Sequence, residues 1–141
     1  MAFNGYLVKV VNQDNSLTEI PLTFMRAETY KVTPQQRLEW SAERDVTGVL
    51  HRETVQNMPP KIEFKTPIMT NSMIKQLNTI FQSAYTNVPE RKLTVEYYDP
   101  ASDSYKRHEC YMPDVDYVPL KVDSAKRVVW YNETRYALIG Y

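Results

Sequence analysis

His51, His108 and Cys110 are the side chains here with the widest chemical reach, being the only two histidines and the only cysteine. His108 and Cys110 stand two apart in a stretch of strand-like composition, which places them on one face. A zinc site takes three or four nitrogen, sulfur or carboxylate ligands, and the further donors would have to be His51 and carboxylates. The pair reads instead as a strand histidine beside a half-buried thiol. Nucleophilic work by Cys110 would need a base and a setting that favours thiolate. A histidine two places along the same strand is poorly aimed for that. Carboxylates pair up at Asp114 and Asp116, at Glu39 and Glu43, and at Asp99 and Asp103, without an evident pocket. Turn formation explains Asp99 and Asp103. Three scattered glycines cannot build a phosphate-cradling loop. The expectation is no enzyme, no metal and no cofactor.

A second constellation is basic and aromatic: Lys121, Lys126 and Arg127 with Trp130 and Tyr131. On a β-barrel such a group could stack bases and hold phosphates. Against this, 17 basic residues balance 17 acidic ones and leave a formal net charge of zero, where nucleic-acid binders cluster positive charge. A monomeric β-barrel that binds single-stranded nucleic acid is the alternative function. Neutrality also removes the self-repulsion that keeps copies of a protein apart.

These residues need elements to hold them. The 141 residues fit one domain, 1–141, with 43 % hydrophobic and 24 % charged residues, ordinary for a folded chain. Gly5 to Val11 reads as a strand and Asn12 to Ser16 as a turn. Leu17 to Tyr30 reads as a second extended segment, with Pro21 marking an edge or entry point. Ile62 to Thr66 alternates as a strand. Thr70, Asn71 and Ser72 offer N-caps to a helix whose stripe is Met73, Ile74, Leu77, Ile80, Phe81 and Ala84; Asn87 and Pro89 stop it. Lys92 to Tyr98 and Tyr105 to Met112 form a hairpin about the turn Asp99 to Ser104. Val115 to Val122 is extended but broken by Pro119, and Lys126 to Tyr131 with Thr134 to Tyr141 reads as a closing hairpin. The fold class is mainly β (α+β): an antiparallel β-sandwich or barrel with one packed helix.

Between these elements lies a long polar arm, about residues 32–60. A compact domain seldom carries such a connection unless it is functional or a projecting hairpin. Val46 to Val55 reads as one limb of that hairpin, with Arg37 to Glu43 a less regular approach. Its apolar residues Leu38, Trp40, Val49 and Leu50 are candidates for contact with another copy, and Arg37, Arg44 and Arg52 for setting register against acidic groups there. The 11 tyrosines fit either a subunit interface or the paving of a solvated sheet face.

One cysteine excludes an intrachain disulfide and fits a reducing compartment. The opening MAFNGYLVKVV is too short and interrupted for a signal peptide, and no later segment is apolar enough to span a bilayer. A soluble protein made in a cytoplasm, without membrane contact, is expected.

The runs VTPQQRLEW, ERDVTGVLHR, KIEFKTPIMT and the closing WYNETRYALIGY resemble a family of small tail proteins of long-tailed bacteriophages and prophages. The resemblance covers most of the chain. It implies the tail-tube-like fold shared by tube, distal tail and baseplate components, in which a long hairpin or loop reaches the adjacent subunit. It also implies a virion tail protein assembled in the host bacterial cytoplasm. Its partners would be itself, in a hexameric ring, and other phage tail proteins.

Overall fold

The structure is a computed structural model that describes residues 3–54 and 56–141. Among these residues, twelve strands and one helix follow in order. β1 (Val8–Val11) and β2 (Leu17–Glu19) form the first hairpin, followed by 3-10 turns at Leu22–Phe24 and Ala27–Thr29 and by β3 (Lys31–Thr33). β4 (Glu39–Arg44) and β5 (Leu50–Thr54) make a separate two-stranded ribbon. Next come β6 (Lys61–Lys65), β7 (Met69–Thr70) and α1 (Asn71–Ala84). β8 (Lys92–Asp99), β9 (Ser104–Tyr111), β10 (Pro119–Asp123), β11 (Val128–Tyr131) and β12 (Arg135–Gly140) complete the chain. The protein is mainly β and its ladders are antiparallel.

Seven strands form one sheet in the order β2-β1-β8-β9-β12-β6-β3. β8 alternates half-buried and buried residues along its whole length, with Leu93, Val95 and Tyr97 turned to the core. That alternation follows from the two-residue period of a strand, and it gives β8 one face for burial and one for water. α1 covers the inner face, burying Ile74, Leu77, Phe81 and Ala84, while Met73 and Ile80 pack at the margin. This is the stripe expected from the spacing. Thr70 does occupy the N-cap position but makes no capping hydrogen bond; its hydroxyl meets that of Ser72 at 3.1 Å. Sheet and helix join at Tyr136, fully buried, whose ring stacks on Phe64 and Phe81 with centroids 5.6 and 5.7 Å away. Its hydroxyl donates to Asn78 Oδ1 at 3.0 Å, so the buried oxygen is satisfied.

Four local expectations are corrected. The closing hairpin does not exist: β11 pairs with β10 and β7 in a three-stranded sheet, whereas β12 pairs with β6 and β9 in the large one. The short Asn132–Thr134 link carries the chain between sheets, and Thr134 is buried against Thr66, to whose Oγ1 its N–H donates at 3.2 Å. Of Leu17 to Tyr30, only Leu17–Glu19 is strand, because the chain turns after Pro21, which has no N–H to extend a ladder. Within Val115 to Val122 the strand starts only at Pro119. In the arm, the approach expected to be irregular is the strand Glu39–Arg44. The limb expected from Val46 begins at Leu50, with Val46, Thr47 and Gly48 in the turn; Val55 lies outside the described residues.

Most tyrosines turn out to serve their own chain. Tyr6 stacks on Tyr105 at 4.3 Å, Tyr98 lies against Tyr105, and Tyr111 meets Tyr141 edge-on.

Gly140 ends β12 where the chain crosses closest. A Cβ there would lie 2.6 Å from Pro60 Cδ and 2.9 Å from Pro59 Cβ. Gly140→Ala should therefore destabilise the protein by about 1–3 kcal/mol, the usual cost of overpacking, read as a lowered denaturation midpoint. Cys110 is fully buried, and burial pushes its thiol up to about 12. Native protein should resist a thiol-specific disulfide reagent at pH 8 and react fully in denaturant; fast native labelling would contradict this placement.

Candidate functional site

The arm is a projecting hairpin with a braced root. Pro59 and Pro60 are buried, and the Pro60 carbonyl accepts from Gly140 N–H at 2.8 Å. On the outgoing side, Gln36 N–H donates to the Pro59 carbonyl at 3.0 Å and Tyr97 hydroxyl to the Pro34 carbonyl at 3.4 Å. Two consecutive prolines fix φ and cannot donate to a ladder, so the return limb enters the body with little freedom. Beyond the root, every residue of β4 and β5 is exposed.

Register fixes the faces of the ribbon. Ser41 pairs with Glu53 and Glu43 with His51, so these four share one face. Ala42 pairs with Arg52 and Arg44 with Leu50, and these four share the other. The pairing slips between Glu39 and Ser41, placing Trp40 at a bulge, a device that bends a strand and re-aims a side chain.

The tip is built on Asp45. Its Oδ1 accepts from Thr47 N–H at 2.9 Å, Thr47 hydroxyl at 2.6 Å and Val49 N–H at 3.1 Å; Oδ2 lies 2.9 Å from His51 Nε2. Gly48 takes the left-handed φ of 88° that the turn requires. Those bonds, first the Thr47 hydroxyl and then His51, hold the Asp45 carboxyl down to about 2. The tip is therefore ordered by its own polar groups and needs no core.

The candidate contact residues are all displayed. Trp40 is 82 % exposed, and Leu38, Val49 and Leu50 are also open to solvent. Arg37 is exposed, Arg44 donates to the Gly48 carbonyl at 2.9 Å, and Arg52 pairs with Glu39 on its own ribbon. Arg44 and Arg52 thus brace the hairpin internally. Surface pairs of that kind contribute only about 0–1 kcal/mol, so they remain open to exchange partners. Sequence reasoning missed the acidic face carrying Glu43 and Glu53, because it appears only once the register is known.

The other chemical candidates are dispersed. His51 sits at the arm tip beside Asp45, whereas His108 lies on β9, its Nε2 2.9 Å from the Tyr141 carbonyl. Among the described residues, no three His, Cys, Asp or Glu side chains gather as a metal site. No described helix is long and apolar enough to cross a membrane. Asp99 is buried in its turn, accepting from Ala101 N–H at 2.9 Å and Ser102 hydroxyl at 3.0 Å and pairing with Lys106 at 2.8 Å, which holds its carboxyl below the ordinary range.

This fold has a counterpart among solved structures. A chain from the tail of an empty GTA particle, computed with helical refinement and C6 symmetry, shares it with a TM-score of 0.52. That likeness spans 99 % of this chain and 95 % of the other at 12 % identity, and it establishes the fold. Residues 1–141 match the family described as a family of unknown function (DUF6711), and the chain belongs to that family. No curated protein matches it in sequence.

The Asp45 network gives a pH test. A carboxyl whose folded pKa is depressed supports the turn fully above its ordinary value of 3.8 and loses that support as pH falls through about 2. The amide resonances of Thr47 and Val49 should accordingly titrate near pH 2. A midpoint at the ordinary carboxylate value would mean that the turn does not hold in solution.

Proposed function

We propose that this protein is a non-enzymatic structural component of a bacteriophage or prophage-derived tail, assembling through its arm into a hexameric ring and contacting other tail proteins. The observation that carries this reading is the hairpin itself. It has a braced root, an ordered tip, and a tryptophan displayed where its own chain offers no core. Large apolar side chains held outside a core mark contact sites, and a tryptophan is a frequent anchor of binding energy. The shared fold with a chain from a C6-symmetric GTA tail supports both the setting and the ring. A heterologous contact, arm on neighbour, closes into a ring when its rotation divides a full turn. The resulting particle component belongs in a virion tail.

Sedimentation velocity with negative-stain microscopy tests the proposal: rings are expected at high concentration or when a tail partner is added. A strict monomer under both conditions would overturn it. Trp40→Ser with Leu50→Ser should leave thermal unfolding of the isolated chain within about 0.5 kcal/mol of the parent, as for exposed sites, while abolishing ring formation. A large drop in melting temperature would place both side chains in an intrachain core and remove the arm's role.

A further inference from the structure

The hairpin of β10 and β11 is the second place where this chain shows apolar side chains to water. Val118 is 57 % exposed, Leu120 54 %, Val122 63 % and Trp130 39 %. Among the described residues β10 pairs only with β11, which leaves its outer edge free there. Unpaired edges that lack protection are open to another strand or ribbon. Lys121 in β10 stands opposite Trp130, and Lys126 and Arg127 stand at the turn; none of the three forms an ion pair among the described residues.

The arm has the opposite character. Glu43 and Glu53 share one of its faces and likewise form no ion pair among the described residues, while Arg44 and Arg52 lie on the other face, braced within the ribbon. The arm, with an acidic face and a tryptophan displayed at its bulge, therefore matches a hairpin on which Lys121 and Trp130 share a face beside a basic turn. Both surfaces belong to one sequence, and a head-to-tail contact joins two different patches of identical copies.

We propose that the acceptor of the arm is the β10–β11 hairpin of a second copy, with Trp40 packed on Trp130, and Glu43 and Glu53 facing Lys121, Lys126 and Arg127. This rests on the arm being a self-assembly element and names what it grips. Apolar contact supplies the affinity, and the charges set orientation and discriminate against wrong docking. The same charges explain how basic residues can cluster on a chain of zero net charge without a nucleic acid being required.

The test replaces Trp40 with the photocross-linker p-benzoylphenylalanine in the full chain and maps the cross-linked peptides by mass spectrometry. Cross-links into residues 117–131 of another copy are expected. Reversing charge with Lys121→Glu, Lys126→Glu and Arg127→Glu should lower their yield about tenfold, equivalent to about 1.4 kcal/mol, and adding Glu43→Lys and Glu53→Lys to the same chain should restore it. Cross-links to another copy at a different surface would overturn the acceptor while leaving self-assembly through the arm intact. No intermolecular cross-link up to about 1 mM, the weak end of specific affinity, with or without an added tail partner, would overturn both readings. A fluorescent single-stranded oligonucleotide is the control for the other use of this patch. Binding that the triple reversal abolishes, with no cross-link at 117–131, would assign the hairpin to nucleic acid and overturn the proposal.

Discussion

The placement of β12 is the constraint on which the rest of the structure depends. This last strand lies between β9 and β6, pairing with β6 over five positions and with β9 at its end. Without it the seven-stranded sheet would separate into β2-β1-β8-β9 and β6-β3. Tyr136 on the same strand pins the sheet to α1 through two ring contacts and a hydrogen bond to Asn78. Gly140 at its end leaves room for the proline pair at the root of the arm. Sheet continuity, helix docking and arm direction therefore converge on one six-residue strand.

Stability and display are divided between different parts of the molecule. The body buries a continuous apolar cluster from β1, β6, α1, β8 and β12, which supplies the folding free energy in proportion to area removed from water. The ribbon of β4 and β5 buries nothing of its own. An isolated two-stranded ribbon is marginal in water, so its order relies on the Asp45 turn, the Arg52–Glu39 pair and the root clamp. Such an element is expected to sit at the low-stability end of the molecule, where docking segments are drawn from. Contact with a neighbour would add the apolar burial that the ribbon lacks.

The same division shows in where the side chains with chemical potential are placed. Cys110 faces the core and its thiol is held protonated by burial. His108 rests against the terminal carbonyl region, and His51 closes a turn with Asp45. Asp99, the most buried carboxylate, completes the β8–β9 turn and pairs with Lys106. Each is satisfied by structural partners, and none is brought to another in a shared cleft.

Local periodicity was enough to determine α1, the β8–β9 hairpin and the β6 strand, because each contains its own signal: a helical stripe, a clean alternation, a turn of Asp and Ser. The arm was equally visible as a long polar connection that no core could absorb, and with it the displayed set from Arg37 to Arg52. What neighbours in sequence could not decide was pairing at a distance. Lys126 to Tyr131 and Thr134 to Tyr141 look like a hairpin locally, yet burial of Tyr136 and Leu138 in the main core draws β12 away from β11 and into the large sheet. Register was likewise beyond the sequence. A one-residue slip exchanges the faces of a strand, so the acidic face of Glu43 and Glu53 and the bulge at Trp40 exist only once β4 and β5 are paired. The sequence by itself determined which residues are spared from the core; tertiary structure decided which of them stand side by side, because strand partners are chosen by burial across the whole chain and not by adjacency along it.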